Sequence, residues 1–375
     1  VNTTGLAGEF PVEFHVETAQ MEAVQLTDTA DGRCIPSQVT HHPRGRNITF
    51  TDFFAAGEEK VYHYEAIPLT GKAALPSERF GWGAECVQDI LVGPETDLAL
   101  LPYQIENDWF QICYAPGRGI TSFFSKQDGE QWLKPGQTPF FTPIYEVTPA
   151  KYGVSTQRTM RGRGMRGITA TQTPARLTDV QVLAKGPVYS SVRLCYEMPG
   201  ALHCAVILKL YQHLPRVDFT LQMAKTLSED MENIYLPLTL CHGDCQRYIE
   251  KGGVPMRPGL DQLDGSCMDY YVTDNGLLYL GQKSSIAIAS PDVPLISMGE
   301  LKAGPIALQK GSKELNQRDI YSWVMNNLWE INFKLSLAGH SEFRYTLTRK
   351  DSGDQKENLA CLHTLADGIT AFPIK

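Results

Sequence analysis

The sequence predicts a mainly β protein: a small β-sandwich, then a large antiparallel sandwich, with one short helix near the C-terminus. Three observations carry this. Polar and apolar residues alternate with period two over long runs, turn dipeptides separate those runs, and helix signals are scarce. Arg216-Val217-Asp218-Phe219-Thr220-Leu221-Gln222-Met223 alternates without a fault. Ser191–Glu197 and Phe343–Thr348 do the same. Successive strand residues point to opposite faces, so such runs read as half-buried antiparallel strands. Asp31-Gly32, Asp128-Gly129, Pro199-Gly200 and Asn275-Gly276 are turn signals between runs. Many short strands between such turns fit sandwiches rather than βαβ units.

Taken in order, residues 1–70 read as a small β-sandwich of four or five strands with a polar turn at 41–47. Residues 71–103 carry Pro and Gly with weak periodicity and read as a connector, with one strand at Cys86–Val92. Residues 104–375 read as the large sandwich, whose strands are longer and regularly spaced. The helix is expected at its end. Leu359, Leu362 and Leu365 recur every third residue, Asp354 is placed to cap the first turn, and Gly368 follows the last.

Composition excludes several classes. With 375 residues and a net charge of −8, the chain has no basic surplus for general nucleic-acid or membrane-surface binding. No apolar run reaches the ~18 residues that span a bilayer. No basic start leads into an apolar stretch, so no signal peptide is expected. Nine cysteines, an odd number without a repeat, lie largely in apolar strand-like runs such as those around Cys113, Cys195 and Cys204. That pattern fits reduced thiols and a cytoplasmic location. The sequons at Asn2 and Asn47 are then chance matches.

Most catalytic signatures fail. There is no Gly-x-Ser-x-Gly elbow, no His-Glu-x-x-His pair and no Gly-rich phosphate loop. Cys241-His242-Gly243-Asp244-Cys245 has soft metal-ligand types but no second ligand pair at finger spacing, so a strand end turning through Gly243 is the better reading. His41-His42 reads as a solvated polar loop. The basic stretch Arg161-Gly162-Arg163-Gly164-Met165-Arg166 reads as a long loop carrying Arg toward a groove or neighbouring domain. Asp261, Asp264 and Asp269 lie near Arg257 in sequence. Glycoside hydrolysis needs two carboxyl groups ~5–10 Å apart, but loop acids more often cap turns.

The most distinctive segment is Ile320–Lys334, with Trp323, Asn326, Asn327, Trp329 and Asn332 inside ten residues. The Trp side chains are expected to pack the sandwich. The Asn side chains are expected to satisfy irregular backbone around a tight crossing. With other motifs in order, this segment resembles the C-terminal β-region of glycoside hydrolase family 38, the α-mannosidase family. Those motifs are Val1-Asn2-Thr3-Thr4-Gly5, Ile105–Phe110 with Gly119–Phe123, the Met160–Gly167 loop, Gly186-Pro187-Val188, Leu210-Tyr211, Pro215–Asp218, Lys225 and Glu232-Asn233-Ile234-Tyr235.

The resemblance implies a large supersandwich of the galactose-mutarotase-like type. It implies a non-catalytic region that supports an N-terminal α/β catalytic domain, binds no cofactor itself, and helps line a cleft for mannose-containing carbohydrate. Zinc and the nucleophile belong to that other domain, and nothing here matches its His-x-His-x-Asp-type motif. Family members place β-region side chains at the rim of the sugar site. Arg257, ahead of Leu260-Asp261-Gln262-Leu263, is similar to one such contributor, and Tyr145 to another. Arg257, Tyr145 and Asp261 are therefore the expected substrate contacts. The expected partners are the catalytic domain, the carbohydrate and further copies of the same chain. A freestanding carbohydrate-binding module and a sandwich-fold sugar epimerase or lyase are the alternatives. An epimerase needs a His and a Glu facing one concave sheet, and the sequence shows no such pairing.

Overall fold

The computed structural model describes residues 1–17, 21, 23–42, 44–67, 99–101, 103–148, 170–268, 270–301, 308–311, 319–327 and 337–374. The expected strand at Cys86–Val92, the arginine-rich loop, Asp269, Trp329 and Asn332 lie outside these residues. The chain is mainly β, and its sheets are antiparallel throughout the described residues. No described helix is long and apolar enough to cross a membrane.

Residues 8–67 form two three-stranded sheets. One has the order Gly8–Glu17, Gly45–Phe54, Ser37–His42; the other has Cys34–Ile35, Ala23–Asp28, Tyr62–Ile67. Val12, Leu26, Ile35, Phe50 and Phe54 fill the space between them. The polar loop expected at 41–47 is narrower in the structure. His41 and His42 end a strand, and the His42 ring lies 4.0 Å from that of His15. Strand pairing with Arg46 and Gly45 continues to the tip, so period two extends further than the polar composition suggests.

The rest of the chain builds a five-stranded, a six-stranded and a nine-stranded sheet around one large core. The six-stranded sheet has the order Thr171–Pro174, Ile144–Thr148, Met231–Pro237, Ile320–Asn326, Leu295–Met298, Tyr270–Val272. The nine-stranded sheet runs from Arg176–Lys185 through Tyr189–Glu197, Ala201–Tyr211, Arg216–Lys225 and Gly339–Lys350 to Ser285–Ala289 and three further strands. In Arg216–Lys225 every second residue is buried, as the alternation requires. Phe141 and Phe219 stack at 4.7 Å near the centre of this core, with Tyr345 edge-on at 4.8 Å.

The single described helix, α1 (Gln355–Asp367), starts where the sequence places it. The Asp354 side chain accepts from the Glu357 N–H at 2.9 Å, and the Gly368 N–H closes onto Thr364 O at 2.8 Å. Leu362 is fully buried against Leu278, Ala287 and Ala289. Alternate residues of those same strands, Leu277, Ile286 and Ile288, face the main core, so the sheet is covered on both sides here. Beyond α1 the chain returns to the small unit: Asn2 bridges Ile369, and Ile369 and Ala371 pack on its core.

The small unit meets the nine-stranded sheet through polar contacts. Gln38 Oε1 accepts from the backbone N–H groups of Val188 and Tyr189 at 3.2 and 3.0 Å. A Cβ at Gly186 would come within 2.4 Å of the Gln38 side chain, which explains glycine in the Gly186-Pro187-Val188 motif.

Candidate functional site

One dipeptide organises the polar interior. Tyr145 and Glu146 are adjacent in a strand of the six-stranded sheet, so their side chains leave opposite faces. Each anchors a buried polar network.

Tyr145 points into the main core. Its phenol donates to Glu232 Oε1 at 2.5 Å, and Lys225 Nζ donates to the same oxygen at 2.6 Å. Lys225 also donates to the Thr226 carbonyl at 2.9 Å. The Lys225 and Glu232 side chains are 3% and 0% exposed, and Glu232 Oε2 has no hydrogen-bond partner among the described residues. A buried carboxylate is tolerated only when paired, and here ammonium and phenol together satisfy one of its oxygens. Burial, then the Glu232 carboxylate, pushes the Tyr145 phenol upward, so it stays protonated and remains a donor. Gly200, in the Pro199-Gly200 turn, has φ +76°, and a Cβ there would sit 2.9 Å from the Tyr145 ring. Turn geometry and ring space both require glycine.

Lys225 also lines a cleft of about 420 Å³ between the ends of the nine- and six-stranded sheets. Met223, Phe343, Ser341, Met325 and Asn326 contribute to its walls.

Glu146, 1% exposed, accepts from Asn233 Nδ2 at 2.8 Å, the Tyr235 hydroxyl at 3.4 Å and Gln172 Nε2 at 2.7 Å. Asn233 Oδ1 in turn accepts from Trp323 Nε1 at 3.0 Å. The Trp323 ring lies 5.5 Å from Tyr235 and 6.0 Å from Tyr270. Trp323 thus packs as expected, but in a small aromatic cluster apart from the main core. Asn327 behaves as expected too, accepting from the Glu232 N–H at 2.6 Å and donating to the Asp230 carbonyl at 2.8 Å. A bulge between Ile234 and Tyr235 supplies the irregular backbone.

The expected contacts fall in two places. Tyr145 is 6% exposed and engaged with Glu232. Arg257 and Asp261 form a bidentate pair in the loop after Val254–Met256, with Nε and Nη2 donating at 3.0 and 2.8 Å and the Arg257 N–H adding a third bond. Both side chains are more than a third exposed. The Arg257 bond holds the Asp261 carboxyl below its ordinary range. Asp264 accepts from the Gly311 N–H instead, so these loop acids hold turns. His242 is held between Glu130 Oε2 at 3.1 Å and the Ser284 carbonyl at 2.9 Å, consistent with a structural role for the Cys241–Cys245 segment. Among the described residues no three His, Cys, Asp or Glu converge as metal ligands.

Lys225 and Glu232 enter the sequence reading only as parts of the family-like motifs, with no role assigned, and Glu146 was not singled out. Two of them carried a signal. Lys225 occupies the buried phase of Val217, Phe219, Leu221 and Met223, where a fifth apolar residue is expected. Glu232 stands beside Asn233 in Met231–Pro237, an otherwise mostly apolar run.

No protein-family model matches the sequence, and no curated protein does. Solved structures do. An α-mannosidase from Enterococcus faecalis V583 superposes with a TM-score of 0.59 and 9% identity, over 96% of this chain and 44% of its own. The chain shares that fold. A glycosyl hydrolase family 38 protein from Enterococcus faecalis gives a TM-score of 0.54 and 9% identity, over 96% of this chain and 46% of its own. The chain spans less than half the length of either structure.

Proposed function

We propose that this chain is the β-region of an α-mannosidase-type glycoside hydrolase of family 38, supporting a separate zinc-dependent catalytic domain and helping to line its carbohydrate cleft. The observation that carries this reading is the fold match to the Enterococcus faecalis V583 α-mannosidase, which takes in 96% of the chain and so spans the small unit and the large sandwich together. A shared pair of units in one order is more specific than either sandwich alone. The ordered motifs, from Val1–Gly5 to Trp323–Asn327, add to it. In this reading the zinc belongs to the partner domain.

In this reading Arg257 and Asp261 act at the rim. The carboxylate fixes the guanidinium plane, and a planar fork so held suits sugar hydroxyls. Tyr145 acts from beneath, positioning the sheet through Glu232 without touching the sugar. The test is reconstitution. The chain mixed with a separately produced family 38 catalytic domain should restore zinc-dependent hydrolysis of an aryl α-mannoside that neither part hydrolyses alone. Arg257→Ala should then raise KM or lower kcat of the assembled enzyme. Hydrolysis by this chain alone refutes the reading.

A further inference from the structure

Two histidines meet on one face of the small sandwich. His15 and His42 stand on the strands that flank Gly45–Phe54, where Asn47 faces His15 and Gly45 faces both Glu17 and His42. Gly45 has no side chain to stand between them, so the rings touch across it, 4.0 Å between centres and 55° between planes. Alternate strand residues share a face, and this one also grips the large unit. Glu13, two residues from His15, holds Lys209 at 2.7 Å. Gln38 and Thr40, on the strand that His42 ends, reach the Val188 and Tyr189 N–H groups and the Tyr189 hydroxyl.

Hydrogen bonds place the protons of both rings. Asn47 Nδ2 donates to Glu13 Oε1 at 3.3 Å, which turns Asn47 Oδ1 toward His15 Nδ1 at 3.2 Å, so that ring nitrogen carries a hydrogen. His15 Nε2 is then a lone pair, buried and with no hydrogen-bond partner among the described residues. His42 Nδ1 accepts from the Arg44 N–H at 3.3 Å, so the His42 hydrogen is on Nε2. Neither lone pair faces an acceptor that a second proton could use. The charged groups around His42 are Arg44, Glu13 and Glu17, with Arg44 Nη2 3.8 Å from Glu17 Oε1 at the exposed tip and Lys209 beyond Glu13. His41 and Arg46 leave the opposite face, where Arg46 Nε donates to the Met21 carbonyl at 3.1 Å.

We propose that His42 is a proton-operated latch on the junction between the small sandwich and the large sheet. With the ring neutral, the end of Ser37–His42 is locked between His15 and the Arg44 N–H. A proton taken up at Nδ1 removes the acceptor of that N–H and sets a cation against the His15 ring, near the Arg44 side chain. The strand end then lifts, and Thr40 and Gln38, further back on the same face, loosen their hold on Tyr189 and Val188. Ser37–His42 is the edge of its sheet, whereas His15 sits on a strand of 10 residues paired along its length and anchored by Lys209, so the edge is the part that moves. Burial, then His15, then Arg44 hold the His42 ring below its ordinary 6.5, and Glu13 and Glu17 only partly offset them. A base depressed on folding binds its proton more readily in the opened form. The latch is therefore fully set above about pH 6.5 and is released as pH falls below it.

Amide hydrogen exchange on the full chain, corrected for intrinsic rates, reads this junction. From about pH 7.5 to about pH 5.5 the protection of the Val188 and Tyr189 amides should fall about five- to tenfold, while amides of the core strand Arg216–Lys225 keep theirs. Glu13 stays charged over this range, because its carboxyl lies below 4.5. His42→Phe keeps a ring against His15 but takes up no proton, and should remove most of the response. His63→Phe, which alters an exposed histidine of the other small sheet, should leave the response intact. Unchanged protection of Val188 and Tyr189 in the unmodified chain overturns the proposal, whether or not the variants fold. A response that survives in His42→Phe, or one shared equally by the core strand, overturns it too.

Discussion

Lys209 of the nine-stranded sheet reaches Glu13 of the small unit, with Nζ 2.7 Å from Oε2 and 4.1 Å from the centre of the Tyr189 ring. One ammonium therefore holds a carboxylate from one unit against an aromatic face of the other. With Gln38 on the backbone of Val188 and Tyr189, this contact ties the small sandwich to the large sheet.

Lys209→Met should loosen that junction. The Glu13 side chain is 43% exposed, so solvent screens the ion pair and it contributes about 0.5–1 kcal/mol; the cation–π contact adds about as much. Burial pushes the Glu13 carboxyl upward, but the charge and hydrogen bond of Lys209 outweigh it and hold the group below its ordinary 4.5. A carboxyl depressed on folding stabilises fully above its unfolded pKa and loses that contribution as pH falls through the folded one. The melting-temperature gap between the unmodified protein and Lys209→Met should therefore be widest near neutrality and shrink below about pH 4.5. A gap unchanged with pH would assign the effect to packing alone.

A second acid-sensitive contact lies inside the large unit. Arg349 Nη2 and Nε donate to the two oxygens of Asp128 at 2.6 and 2.7 Å, with both side chains under 10% exposed. Burial raises the Asp128 carboxyl, but the bonds from Arg349, Ser125 and Ser284 prevail and bring it from 3.8 to about 2. The group is depressed, so its contribution, about 2 kcal/mol, is present above pH 3.8 and is lost as pH falls toward 2. Urea midpoints should drop across this window and drop less in Asp128→Asn, which starts out less stable. Equal acid sensitivity in the two proteins would remove Asp128 from the account.

Helix α1 supplies a local test. Asp354→Ala removes the acceptor for the Glu357 N–H and should cost about 1 kcal/mol, read as a lower thermal midpoint. Asp354→Asn keeps an acceptor and should restore most of it. If the two variants lose the same stability, the side-chain cap contributes nothing.

The fold was legible where one local rule acts alone. Alternation in Arg216–Lys225 gives the strand and its buried face, and Asp354, Leu362 and Gly368 give the helix and both ends. Sheet order was not legible. The pairing of Met231–Pro237 with Ile320–Asn326 joins segments some 90 residues apart in sequence, and local periodicity holds no information about that. The site was legible only in fragments. Glu232-Asn233 stood out only as a family-like motif and Trp323–Asn327 by composition, yet their purpose, Asn233 holding Trp323 and Asn327 capping Glu232, follows from register. Lys225 was legible only as a motif residue, and its role was not, because a lysine at a strand end reads as solvated until the facing carboxylate is known.

That buried pair gives the sharpest prediction. Lys225→Met leaves Glu232, fully buried, with only the Tyr145 phenol on the shared oxygen, and an uncompensated buried charge costs about 3–5 kcal/mol. Glu232→Gln strands the Lys225 ammonium in the same way. The paired change removes both charges and keeps a carbonyl acceptor for Tyr145, so it should be far less destabilising than the sum of the single changes. A double-mutant cycle in urea should therefore show a coupling of about 3 kcal/mol, against the ~0.5 kcal/mol typical of independent sites. Additive losses would mean that the ion pair contributes little and that Lys225 and Glu232 are held separately by the Thr226 carbonyl and the Tyr145 hydroxyl.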